Sequence, residues 1–116
     1  MNVKKYQEFV KQGSSSKYNK QLALIGLVGE VGELADVIKK ESIYEDMSKF
    51  EEKYSMSVND KIIDEAGDVF WQFVNLIQQY DVSLEEIINN NVAKLTQRHG
   101  GIKVSHNGGK RDWIKD

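Results

Sequence analysis

Four carboxylates stand in two matched pairs, Glu30 with Glu33 and Glu65 with Asp68. Each pair is three residues apart inside an apolar run, Gly26-Leu-Val-Gly-Glu-Val-Gly-Glu33 and Glu65-Ala-Gly-Asp68. On a helix, side chains three apart share a face, about 5–6 Å between Cβ atoms. Two such helices packed face to face gather the four acids into one cluster. Carboxylates crowded among apolar neighbours repel one another and lose hydration. A divalent cation relieves both costs, and an all-oxygen donor set suits magnesium or manganese. No lysine or arginine is expected three or four residues from these acids on the same face, Lys61 at the helix start being the nearest.

Gly29, Gly32 and Gly67 directly precede Glu30, Glu33 and Asp68, with Gly26 a further three residues back. Glycine inside a helix costs about 1 kcal/mol against alanine. Two readings account for it: close helix packing through a small-residue groove, or space for a metal and its waters. Gln72 and Asn75 extend the polar line of Glu65 and Asp68 by steps of four and three, which keeps all of them on one helix face. Asn91, Lys94 and Arg98 line a strip of a later helix. They are either a solvated face whose cations suit a helix C-terminus, or a phosphate clamp.

The elements that must carry these residues are all helical. Val3, Tyr6, Phe9 and Val10 predict a short amphipathic helix over 3–12, ended by Gly13 and the serines after it. A long helix is expected over about 17–40, its apolar stripe running through Leu24, Leu27, Val28, Val31, Leu34, Ala35 and Ile38. Residues 41–56 are polar and read as a short exposed helix or an ordered insertion. Ser57 to Asp60 resembles a capping box and opens a helix to about residue 80. Ile62, Ile63, Ala66, Val69, Phe70, Phe73, Val74, Leu76 and Ile77 predict that this helix is largely buried, and Trp71 reads as core beside Phe70 and Phe73. Ser83 to Glu86 is a full capping box, and the helix it opens should bury Leu84, Ile87, Ile88, Val92 and Leu95 before Gly100 and Gly101 stop it. The expectation is an all-α bundle of four to five helices over residues 1–100, with a tail over 101–116 that is mobile or a lid.

Composition narrows the function classes. The 116 residues suit one domain, with no cysteine for a disulfide or thiolate site and no proline to interrupt helices. The net charge of -2, with both signs interspersed, argues against binding a nucleic-acid polymer. The N-terminal stretch lacks the apolar segment of a signal peptide, and the longest apolar run is too short to span a bilayer. A soluble cytoplasmic protein with no membrane partner is expected.

The combination of Glu30-Val-Gly-Glu33, Glu65-Ala-Gly-Asp68 and Asn91-Val-Ala-Lys94 with Arg98 resembles the MazG-like, all-α nucleoside triphosphate pyrophosphohydrolases. The resemblance covers about residues 1–100. It departs from the family's pattern in the long stretch between Glu33 and Glu65, and again after Arg98. It implies magnesium-dependent hydrolysis of a nucleoside or deoxynucleoside triphosphate to the monophosphate and pyrophosphate. It also implies a bundle completed by homo-oligomerisation, as a dimer or tetramer. On this reading Glu30, Glu33, Glu65 and Asp68 are the metal ligands and catalytic acids, without singling out which glutamate is the general base. Lys94 and Arg98, with Asn91, hold phosphate oxygens, and Gln72 contacts sugar or base.

Two other classes compete. A non-catalytic helical oligomerisation or interaction module would use the same apolar stripes, but gives no reason to cluster four acids. A carboxylate-bridged di-iron bundle needs a histidine three residues after a glutamate, and neither His99 nor His106 stands there.

Overall fold

In the computed structural model, residues 1–15, 19–44 and 47–98 are described, and the expected tail and the glycine stop at 100–101 lie outside them. Five helices and no strand occur among the described residues: α1 Val3–Gly13, α2 Lys20–Ile43, α3 Met47–Tyr54, α4 Val58–Gln78 and α5 Leu84–Arg98. The all-α expectation holds. No helix among them is long and apolar enough to cross a membrane.

The helix starts follow local chemistry. Asn2 and Asn19 cap α1 and α2, their side chains accepting from the amides of Lys5 and Leu22, both at 2.9 Å. Ser57 accepts from Asp60 N at 3.1 Å. The box opening α5 closes both ways: Ser83 Oγ accepts from Glu86 N, and Glu86 Oε1 accepts from Ser83 N, each at 3.1 Å. These bonds satisfy amides that the first turn of a helix leaves without partners.

Packing centres on α4. Its most extensive neighbour is α2; α1 lies on its C-terminal half, and α5 packs on α1. Val10, Val74, Ile77 and Leu84 form the buried core, with Tyr6, Trp71, Phe73, Val82 and Ile87 around it. One side chain clasps the α4–α5 turn. Gln7 Nε2 donates to Val82 O at 3.2 Å, and Gln7 Oε1 accepts from Leu84 N at 2.9 Å. Gln78 Nε2 returns a bond to Gln7 O at 2.8 Å.

Two burial expectations need correction. On α2 the inward residues are Ala23 and Val37, with Gly26, Leu27, Glu30 and Leu34 half-buried between them. Leu24, Val28, Val31 and Ile38 face outward from the chain. Ile63 and Phe70 of α4, and Ile88 and Val92 of α5, are likewise exposed, although Tyr6 of α1 stacks on one side of Phe70 at 5.1 Å. The segment expected to be a short exposed helix or an ordered insertion is a short, mostly exposed helix, α3, pinned by the fully buried Phe50. The Phe50 ring meets Tyr54 at 4.7 Å and Tyr44 edge-on at 6.4 Å.

Candidate metal centre

Along the α2–α4 seam the two helices run in opposite directions. Gly26 sits against Gln72, and a turn or two later Glu30 and Glu33 meet Glu65. Each of these three glutamates offers an oxygen, all within 4.8 Å of one another. The spacing of three within each helix, and antiparallel packing between them, produce that convergence.

The electrostatics are those of crowded acids. Glu30 is pushed above the ordinary carboxylate value of 4.5, first by burial and then by Glu33, Asp68 and Glu65. Asp68 is raised by burial, then by Asp64 and Glu65. Asp68 stands outside the tight trio but within its field. The phenol of Tyr6 is raised by burial and then by Asp68, so α1 reaches the edge of the cluster.

These residues fit a hard divalent cation. Glu30 Oε2 and Glu65 Oε2 are buried and accept no hydrogen bond. Buried carboxylate oxygens without donors are costly unless a cation meets them. The donors are all oxygen, which suits magnesium or manganese over softer ions. Space is present as well: a Cβ added at Gly29, Gly32 or Gly67 would meet nothing within 4 Å. Close packing is therefore not what these three glycines provide. It holds at Gly26, where an added Cβ would lie 2.7 Å from Gln72 Oε1.

Gly32→Ala is accordingly expected to raise stability by about 0.5–1 kcal/mol through helix propensity. The same methyl intrudes on the cavity beside Glu33 and Glu65, so turnover should fall. Melting curves and rates on the same preparation check both parts; a destabilised variant would mean that the space beside Gly32 is filled.

Contrary to the sequence expectation, Lys61 stands four residues before Glu65 and on its face. Lys61 Nζ lies 3.1 Å from Glu65 Oε1, and that bond raises the lysine above its ordinary value. One of the crowded acids is thus partly neutralised by the chain itself, while Glu65 Oε2 stays without a donor.

The remaining site residues separate. Gln72 is half-buried, its Oε1 buried without a hydrogen bond, at the Gly26 end of the seam. Asn75 is fully buried; its Oδ1 accepts from Ser14 Oγ at 2.8 Å and its Nδ2 donates to nothing. Asn91, Lys94 and Arg98 are exposed on α5 and form no ion pair among the described residues. Sequence reasoning passed over Lys40, Lys53 and Tyr54, which line one cavity with Glu33, Lys61 and Glu65. The Asp36–Lys40 pair had a signal in its spacing of four, but Lys53 and Tyr54 reach the cavity only through the docking of α3.

An antiparallel helix pair carrying a cluster of acids on its seam defines an all-α, carboxylate-centred domain. Residues 19–102 match the MazG nucleotide pyrophosphohydrolase domain, and the chain belongs to that family. It is 30% identical over 91 residues to the uncharacterized protein YvdC of Bacillus subtilis (strain 168), covering 78% of this chain and 86% of that protein. It is 36% identical over 74 residues to the gene 37 protein of Mycobacterium phage L5, covering 64% of this chain and 60% of that protein. No solved structure matches it.

Proposed function

We propose that this protein hydrolyses a nucleoside or deoxynucleoside triphosphate to the monophosphate and pyrophosphate, in magnesium-dependent housekeeping of the cytoplasmic nucleotide pool. The observation that carries the reading is the convergence of Glu30, Glu33 and Glu65, with two buried oxygens lacking donors, in a chain of this family. Glu30, Glu33, Glu65 and Asp68 hold the cation, and manganese fits the same donors. When bound, it would neutralise the triphosphate and polarise its phosphoryl oxygens.

The residues of the chain then do the rest. One glutamate of the cluster accepts a proton from the attacking water. Water adds across the bond joining the α- and β-phosphates, its oxygen ending on phosphorus and one proton leaving to solvent. Lys94 and Arg98, with Asn91, supply cations and a polar contact for phosphate oxygens, and Gln72 turns toward sugar or base. Homo-oligomerisation, as a dimer or tetramer, completes the bundle; the outward apolar stripe of α2 supports it.

The test is incubation with a mixed pool of ribo- and deoxyribonucleoside triphosphates and magnesium. Pyrophosphate and monophosphates are expected, and chelator should abolish both. Orthophosphate and diphosphates as the first products would remove the protein from this reaction class.

A further inference from the structure

A cavity of about 550 Å³ opens between α2, α3 and α4. Its lining carries both signs: Glu33 and Glu65 of the acid cluster with Asp36, and the lysines Lys40, Lys53 and Lys61. The three ammonium groups gather around a single ring, 5.3, 5.5 and 5.1 Å from the centroid of Tyr54. Lys40 Nζ is held at both ends of its reach, 2.7 Å from Asp36 Oδ2 and 2.6 Å from the Tyr54 hydroxyl. Lys61 is held by Glu65. Lys53 has no carboxylate partner among the described residues.

Three cations around one aromatic ring repel each other. A cation–π contact at an exposed site is weak, and one lysine would suffice to cover the ring. Asp36 and Glu65 pair with Lys40 and Lys61, which leaves the Lys53 ammonium beside the cavity without a carboxylate of its own among the described residues. A phosphate oxygen fits that unpaired ammonium, and lysine suits phosphate as a mobile point charge. A magnesium–triphosphate complex carries both signs the cavity asks for: a cation for the acids and phosphate oxygens for the lysines.

Resting on the hydrolase reading above, we propose that Lys40, Lys53 and Lys61, ordered around Tyr54, form the subsite for the β- and γ-phosphates, the pyrophosphate that leaves. The α3 segment then has a task. Phe50 docks it so that Lys53 and Tyr54 close the cavity. Lys40 and Lys61 are positioned in advance by their carboxylates, and Lys53 supplies the charge that is free to pair with substrate. As negative charge builds on the departing pyrophosphate, an adjoining ammonium group favours its release from the α-phosphate.

The experiment measures binding of inorganic pyrophosphate, in the presence of magnesium, to the full chain by calorimetry, with a nucleoside monophosphate as the comparison ligand. Lys53 is exposed, so Lys53→Ala should keep the melting temperature of the parent chain. It should bind pyrophosphate about tenfold more weakly, the loss of one charge-assisted contact. Monophosphate binding should stay the same, and Lys53→Arg should restore most of the affinity. Unchanged pyrophosphate affinity in Lys53→Ala, or equal weakening for the monophosphate, overturns the subsite. Pyrophosphate binding that depends on Lys53 in a protein that cleaves no triphosphate sustains the subsite and sinks the hydrolase reading. Triphosphate cleavage with pyrophosphate affinity indifferent to Lys53 does the reverse.

Discussion

Glu30→Gln should melt higher than the parent chain in chelator at neutral pH, while losing turnover almost completely. The Glu30 carboxyl is raised by burial and by the negative charges of Glu33, Asp68 and Glu65. A carboxyl whose folded value lies above its unfolded value binds a proton more tightly in the native state. Its contribution is intact below the ordinary value of 4.5, falls as pH rises toward the raised native value, and stays lost above it. At neutral pH, above the unfolded value, the metal-free chain therefore carries a penalty at Glu30. Glutamine removes the charge at nearly constant volume, and its amide has carboxylate acceptors close by. Magnesium should raise the melting temperature of the parent chain by mass action, and raise that of Glu30→Gln much less. Melting curves of both proteins from about pH 4 to pH 8, with chelator and with magnesium, check the signs. A parent chain indifferent to magnesium, with Glu30→Gln melting lower in chelator, would make these acids structural and remove the metal centre.

The parts of this fold that local chemistry controls were legible before the structure. Helix starts at Ser57 and Ser83 were written in the caps, and the face shared by Glu65, Asp68, Gln72 and Asn75 in steps of three and four. What the sequence hid was which side of α2 points inward. That helix is apolar on nearly every side, so its period supports two stripes. One runs through Ala23, Gly26, Leu27, Glu30, Leu34 and Val37, the other through Leu24, Val28, Val31, Ala35 and Ile38. Small residues and an acid mark the true inner line, because α4 approaches there and Glu30 meets Glu65 across the seam. Apolarity alone favours the outer line. Lys61 was missed despite its spacing of four from Glu65. Lys53 had no local signal, since a buried Phe50 brings it in from an otherwise polar segment.

The outer line leads to the second large effect, on assembly. Leu24, Val28, Val31 and Ile38 are 51%, 64%, 47% and 48% exposed in the single chain, and Ala35 continues the row. Their steps of four, three, four and three are those of a helix seam that pairs with another helix. An exposed apolar row this long is expected to be an interaction surface. A second copy presents the same row, so a two-fold axis beside α2 would bury both at once. Replacing Val28 and Val31 together by glutamate would set four carboxylates against each other across that axis. Each valine also forfeits its burial, about 1.5–3 kcal/mol at most. The self-association constant should weaken by a factor on the order of a hundred or more. The fold of each copy should survive, because these side chains already face outward in one chain. Sedimentation and light scattering across a concentration series, with circular dichroism as the control for helicity, provide the measurement. A parent chain that stays monomeric at tens of micromolar would show that the α2 row pairs with something other than a second copy.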